Sequence, residues 1–340
     1  MVPDTHAVGR SGPVLAHLDR PRTPERTTLA VFADAHLTAE ASGTWKVLHR
    51  TEERLRAAVA DANRRDVDAV LVAGDLTKDG APTEYALTDE VLAGLDAPFV
   101  AIPGNHDVPK PRWDPYDAPD RESFARRYAS GHLPFVERVG GVDLVGLDSA
   151  SNADGSLGGT HEGEVGADQR AWLDSVLPDL ETPVVAVHHN VSHPSTHAEG
   201  FPESDLYQVN DADAVAALLA RHDVPLTLSG HLHWPGVAPL AGGHELVCPA
   251  VCSFPQAYVC LHVGPDGTTA ELVPLADRAG LEEAYVHARE GAAHGRGVAA
   301  RADSRLLDEL LLAEEAGPPL VQRAGPPKRE APHRADRVEP

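Results

Sequence analysis

The chain has 340 residues, 42% of them hydrophobic, enough to bury a sizeable core, and no apolar run reaches the roughly 18 residues a membrane span requires. A net charge of −23 with no basic stripe disfavours nonspecific binding to nucleic acid. The acidic residues are spread along the chain and only Lys46, Lys78, Lys110 and Lys328 are lysine; such a surface suits a halophilic, high-salt cytosol, with a GC-rich genome as the plainer account of the arginine bias.

Residues 1–26 carry Pro, Arg and Asp without periodicity and read as an irregular lead-in. They contain no apolar h-region of a secretory signal, so a cytoplasmic location is expected. TLAVFA (28–33) is a short apolar run suited to a buried strand, and a helix is predicted over about 45–64, with Leu48, Leu55, Val59 and Ala62 on one face. VDAVLVA (67–73) predicts a second buried strand, followed by a helix near 83–95 and a third strand at PFVAI (98–102). This alternation points to βαβ units and a largely parallel sheet. The rhythm resumes with VDLVGL (142–147), a helix over 167–177, PVVAV (183–187), a helix over 211–222 with Asp211 as N-cap, and VPLTLS (224–229).

After Gly230 short β runs take over: HELVC, QAYVCLHV and TTAELVPL. The last two flank Gly-Pro-Asp-Gly and predict a hairpin at the edge of a second sheet. Cys248, Cys252 and Cys260 match neither a disulfide framework nor a four-ligand zinc site, and are expected to be free and buried in a reducing cytosol. Further helices are predicted over 281–290 and 303–315, the second capped by Asp303, and the Pro-rich stretch 316–340 reads as a disordered tail. The expected organisation is a lead-in (1–26), a main domain (27–276), a helical extension (277–315) and the tail.

Each main strand ends in a polar cluster where its apolar run stops. The clusters are Asp34-Ala35-His36, Gly74-Asp75, Gly104-Asn105-His106-Asp107, His188-His189 and Gly230-His231-Leu232-His233. Ligands of open α/β sheets bind at the carboxyl ends of strands, so the five clusters should converge on one rim. In an extended segment residues i and i+2 face one side, which would let Asp34 act with His36 and His231 with His233. Carboxylate, imidazole and amide carbonyl together suit Zn, Mn or Fe(II) and not a calcium cage. Asp34, His36, Asp75, Asn105, His188, His231 and His233 exceed what one ion takes from a protein, whereas two ions about 3.5–4 Å apart would use them all.

In this order the blocks resemble the signature of calcineurin-like metallophosphoesterases: Asp-x-His, Gly-Asp, Gly-Asn-His-Asp, a ligand His, then Gly-His-x-His. GDLTKDGAPTEY, PGNHDVP and GEVGADQRAWL look most like the cyclic-nucleotide and glycerophosphodiester branch. The resemblance implies a four-layer α-β-β-α sandwich of two mixed sheets, the metallo-dependent phosphatase fold. It implies that Asp34, His36 and His233 hold one ion, that Asn105, His188 and His231 hold another, and that Asp75 bridges them. It implies that His106 is catalytic, protonating the leaving alkoxide or stabilising the transition state, with Asp107 orienting it. The implied activity is cleavage of a small phosphodiester by in-line attack of a metal-bridging hydroxide, with Mn, Fe or Zn as the ions, and family members often form homodimers. One departure is His188-His189-Asn190-Val191 where the branch reads His-His-Pro-Pro; this bears on the substrate pocket and not on the metals.

Other readings stay open at this stage. Strand-end Asp, Asn and His can merely cap turns and helices, and Asp79 is best read that way. His161, His193 and His197 lie in loops that could reach the site but are more often solvated. Trp234 and Phe254 could wall a base pocket or simply pack. A phosphomonoesterase, a noncatalytic scaffold on the same fold and a nuclease are the rival functions, the last disfavoured by the charge.

Overall fold

The computed structural model describes residues 12–110, 118–151, 161–196 and 207–303, together with a short strand at 313–314. The apolar runs read above become strands of two facing sheets. In the first, β2 (Thr27–Phe32), β3 (Ala69–Ala73) and β4 (Phe99–Ile102) run parallel. Beyond β2 it continues antiparallel through β11 (Ala257–Gly264), β12 (Gly267–Pro274) and β1 (Val14–Leu18), with β13 (Ala313–Glu314) outermost. The second sheet runs β5 (Phe135–Val139), β6 (Val142–Gly146), β7 (Pro183–Ala186), β8 (Leu226–Ser229), β10 (Gly243–Val247) and β9 (Gly236–Leu240). Its four central strands are parallel and its two edges antiparallel.

Alternation along β2 sorts the core. Leu29 and Val31 point between the sheets, against Leu71, Leu144, Ala186 and Leu228. Ala30 and Phe32 point the other way, against Leu55 and Val59 of α1 (Thr51–Arg65) and Tyr85 of α2 (Pro82–Leu92). Each such leucine, valine or phenylalanine side chain, fully buried, contributes about 1.5–3 kcal/mol. The second sheet's outer face is covered by α4 (Ala167–Val176) and α5 (Ala212–Arg221), with Leu173, Val215 and Leu219 packed on Val145 and Val185. The α-β-β-α order of layers expected from the sequence is therefore the order found. α3 (Arg121–Tyr128) closes the β4 edge with Phe124 and Tyr128.

A further apolar cluster joins α6 (Arg278–Glu290) and α7 (Ala293–Asp303) to the loop after β8 through Leu232, Trp234, Ala288 and Val298. This is the core role of the two suggested for Trp234, which is wholly buried there with Phe254. α7 approaches Trp45 so closely that a Cβ on Gly295 would lie 2.6 Å from the Trp45 Cβ, so only glycine allows the contact.

Several expectations are corrected. The lead-in is not irregular throughout: Val14–Leu18 is β1, a short strand between β12 and β13 whose apolar run is interrupted by the exposed His17. The β11–β12 hairpin joins the first sheet beside β2 and not the second; local sequence makes the hairpin, but its sheet is chosen by long-range packing. The helix expected from 45 starts at Thr51, after a 3₁₀ turn over Leu48–Arg50, because Val47 takes a left-handed φ of 44° and turns the chain. Asp211 stands at the N-cap of α5, yet its carboxylate accepts from the Val165 and Gly166 N–H groups instead. Asp79 caps nothing at the start of α2; the Glu84 carboxylate accepts from the Asp79 and Ala81 N–H groups. The helix expected over 303–315 lies mostly outside the described residues; Asp303 ends α7, and Ala313–Glu314 pair with β1. His197 and the tail 316–340 also lie outside them.

Candidate functional site

The five strand-end clusters meet at one rim, but not by the alternation of an extended chain. Asp34, His36, Asp75, His231 and His233 all adopt left-handed backbone, with φ between 43° and 64°. Non-glycine residues pay of order 1 kcal/mol or more for this, so five together are strain held in place by the surrounding fold. The parallel ladder of β2 and β3 extends beyond the strands to hold them: the Asp34 N–H donates to the Gly74 carbonyl (3.0 Å) and the His36 N–H to the Asp75 carbonyl (2.9 Å). The Asp34 carboxylate in turn accepts from the His231 N–H at 3.0 Å, tying the first sheet to the second.

Asp75 lies between two groups of side chains. Its Oδ1 accepts from the His106 N–H at 2.9 Å, which leaves Oδ2 facing the rim. On one side the His36 Nε2 lies 3.4 Å from that oxygen, 3.3 Å from the His233 Nε2 and 4.0 Å from the Asp34 Oδ1. The His233 Nε2 completes this group, 3.3 Å from the Asp34 Oδ1. On the other side the His188 Nε2 lies 3.5 Å from the Asp75 Oδ2 and 3.2 Å from the Asn105 Oδ1, and His231 joins Asp75 and His188 within 4.8 Å. A Cβ on Gly104 would fall 2.1 Å from the Asp75 Oδ1, which is why glycine precedes Asn105.

Outer contacts aim the rings. The His188 Nδ1–H donates to the Ala73 carbonyl at 2.8 Å, and the His233 Nδ1 contacts the Ser253 hydroxyl at 2.9 Å. The Nδ1 of the neighbouring His189 meets the Ser149 hydroxyl at 2.8 Å, with its ring 4.4 Å from that of His231. The Cys252 thiol lies beside the outer nitrogen of His233, 3.8 Å from it, and burial drives its pKa far up, so it stays protonated; all three cysteines are free and buried.

Burial opposes charge throughout the cluster, and the carboxylates decide where charge survives. Asp75 is desolvated, yet His188, His106 and His36 hold its pKa well below the usual carboxylate range. His188 is also desolvated, but Asp75 outweighs this and pushes it up to about 9. His36 and His231 are driven well down, chiefly by burial. The Nε2 of His231 is buried with no hydrogen-bond partner among the described residues. Imidazoles converging on buried carboxylates, with the His231 Nε2 left without a donor or acceptor among the described residues, fit a divalent cation.

Sequence reading missed Lys46. Its ammonium reaches into the site, 3.0 Å from the His36 Nε2 and 3.4 Å from the His106 Nε2. The one available signal was its rarity as a lysine among arginines. Trp45, Tyr207 and His294 were missed too: the Trp45 and His233 rings are 4.9 Å apart, Tyr207 and His231 5.1 Å, and His294 lies 4.9 Å from both Trp45 and Tyr207. His161 does approach the rim, 6.3 Å from the His231 ring, whereas His193 turns to the Ser195 hydroxyl. The role suggested for Asp107 is corrected. The His106 Nδ1–H donates to the Lys78 carbonyl at 2.5 Å, and the Asp107 carboxylate instead accepts from the N–H groups of Leu76, Thr77 and Gly104. Asp107 binds the Asp75 loop to the Asn105 loop and does not touch the His106 ring.

Residues 27–235 match the family profile of calcineurin-like phosphoesterases. The chain is 27% identical to a "probable cyclic nucleotide phosphodiesterase" of Synechococcus, over 71% of this chain and 89% of that protein. It is 25% identical to the 3',5'-cyclic adenosine monophosphate phosphodiesterase of Escherichia coli, over 77% of this chain and 93% of that protein. Among solved structures it resembles a dimetal phosphatase from Danio rerio, with a TM-score of 0.59 and 16% identity over 74% of this chain and 97% of the other.

Proposed function

The chain belongs to the calcineurin-like phosphoesterase family, and from that premise we propose that it hydrolyses small phosphodiesters, cyclic nucleotides or glycerophosphodiesters, at a site for two divalent cations. The observation that carries the reading is the placement of the Asp75 Oδ2 between the His36 and His188 rings, 3.4 and 3.5 Å away, as a bridging carboxylate requires. Asp34, His36 and His233 would hold one ion, and Asn105, His188 and His231 the other. Once bound, the ions supply the Lewis acidity that ionises a water near neutral pH and offsets charge on the phosphoryl oxygens.

The chain's own groups do the rest. The Lys78 carbonyl fixes the His106 proton on Nδ1, so Nε2 faces the site. Burial and the Lys46 ammonium hold the His106 pKa down at about 4, so its imidazole is neutral near pH 7. A phosphate beside it adds negative charge and raises that value, so that Nε2 takes up a proton and passes it to the leaving oxygen. Lys46 sits where its ammonium can meet a nonbridging phosphoryl oxygen. Trp45 and Tyr207 flank the rim with apolar ring faces for the organic part of the substrate. Asp107, buried on four donors, is a positioning residue.

The test is a hydrolysis screen of Mn-loaded protein across cyclic nucleotides, glycerophosphodiesters, a bis-aryl phosphate and aryl monoesters, in low and in molar KCl, with metal content measured in parallel. Diester cleavage with about two ions per chain is expected, retained in molar KCl. Turnover of monoesters alone, or fewer than one ion per chain, would sink the reading.

A further inference from the structure

Away from the catalytic rim, three side chains from two distant stretches of sequence meet at the surface: His49, Glu283 and His287. We propose that they form an additional site for a borderline divalent cation such as zinc, separate from the catalytic pair. Glu283 and His287 are four residues apart on α6, and that spacing puts both side chains on one helical face. His49 comes from the 3₁₀ turn that precedes α1. One ligand atom from each of the three lies within 4.8 Å of the other two. The His49 Nε2 is 2.9 Å from the Glu283 Oε1, and the His49 and His287 ring centroids are 5.4 Å apart.

The neighbouring contacts suit an ion. The Arg50 Nε–H donates to the Glu283 Oε2 at 3.0 Å, which orients the carboxylate and leaves Oε1 for coordination. The Gly43 N–H lies 3.4 Å from the His49 Nδ1, a long contact that the shift of the ring proton to Nδ1 gives up at little cost. His49 and Glu283 keep 32% and 29% of their side-chain surface exposed, so a hydrated ion can enter and keep a water as its fourth ligand. Two imidazoles and one carboxylate favour zinc, cobalt or nickel over magnesium and calcium. An ordinary ion pair explains His49, Arg50 and Glu283, but gives no reason for His287 to face them.

The site joins α6 to the segment that carries Trp45 and Lys46 to the rim. Its ion clamps that segment to the C-terminal helices. The clamp is independent of whether the catalytic site takes one ion or two, and of which ester is cleaved.

The experiment compares the full-length chain with His287→Ala, His49→Ala and Glu283→Gln, each saturated with manganese, then equilibrated with low-micromolar free zinc and counted by elemental analysis. The wild type is expected to hold about one ion more than each variant, and zinc is expected to raise its thermal midpoint by several degrees more than theirs. The same comparison in an Asp75→Asn background separates the two sites: zinc binding that persists there and disappears with His287→Ala supports the proposal. Equal ion counts in wild type and all three variants, in both backgrounds, would overturn it. Glu283→Gln keeps side-chain shape, so a loss of zinc in that variant cannot be ascribed to misfolding.

Discussion

The two halves of the catalytic rim share Asp75 and differ in how they handle charge. In the His36–His233–Asp34 half, an ammonium from Lys46 lies 3.0 Å from the His36 Nε2, so the chain carries a tethered cation of its own. In the His188–Asn105–His231 half no lysine contact is found among the described residues; instead Asp75 pushes the His188 pKa up to about 9 against the effect of burial. One carboxylate cluster is thus neutralised from each side by a different device. On the proposed two-ion reading, Lys46 would compete with an ion for the first half, and His188 would release a proton to an ion in the second.

The largest test of this comparison removes what the halves have in common. Asp75→Asn should lower kcat/KM by about 10⁴-fold or more and take the metal content below one ion per chain, with the far-ultraviolet spectrum unchanged. Retention of both ions would show that the halves do not depend on a shared ligand. His106→Ala should keep both ions and lower kcat by about 10²–10⁴-fold on alkyl esters, but much less on a nitrophenyl ester whose leaving group needs no proton. Equal losses on both ester types would remove the proton-donor role.

Lys46→Met isolates the first half. The ion bound there should bind about tenfold more tightly, by calorimetry, once a like charge is gone, while KM rises because the phosphoryl group loses a partner. Unchanged metal affinity would show that the ammonium does not compete. The second half is isolated by pH. A folded-state pKa above the ordinary histidine value gives stability that is complete below about pH 6.5 and lost as pH rises through about 9. The thermal midpoint of metal-free protein should therefore fall across that window, and the fall should vanish in His188→Asn. The smallest effect is expected from Trp45→Ala, a rise in KM of about two- to tenfold with kcat nearly constant, as for lost uniform binding.

Much of this molecule could be read in advance where chemistry is local. Apolar runs at 28–33, 67–73 and 98–102 became β2, β3 and β4 within a residue or two, since buried strands need no information beyond their own hydrophobicity. Asp34, His36, Asp75, Asn105, His188, His231 and His233 stood out because each follows such a run and strand ends carry the ligands of α/β sheets. What failed was the geometry that local pattern cannot hold. Alternation predicted that Asp34 and His36 share a face of an extended chain, and left-handed backbone aims them instead. The family resemblance put Asp107 on its neighbour His106, whereas its partners Leu76 and Thr77 lie about thirty residues upstream.

The sequence alone determined the order of strands and helices in the main layers, the family and the residues gathered at the rim, because each is encoded in a short stretch of composition and spacing. Tertiary structure alone decided that the β11–β12 hairpin joins the first sheet, that Lys46 enters the rim, and that His49 meets an α6 face 234 residues away. Those outcomes depend on which surfaces close over one another when the two sheets and the C-terminal helices pack, and no window of neighbouring residues contains that information.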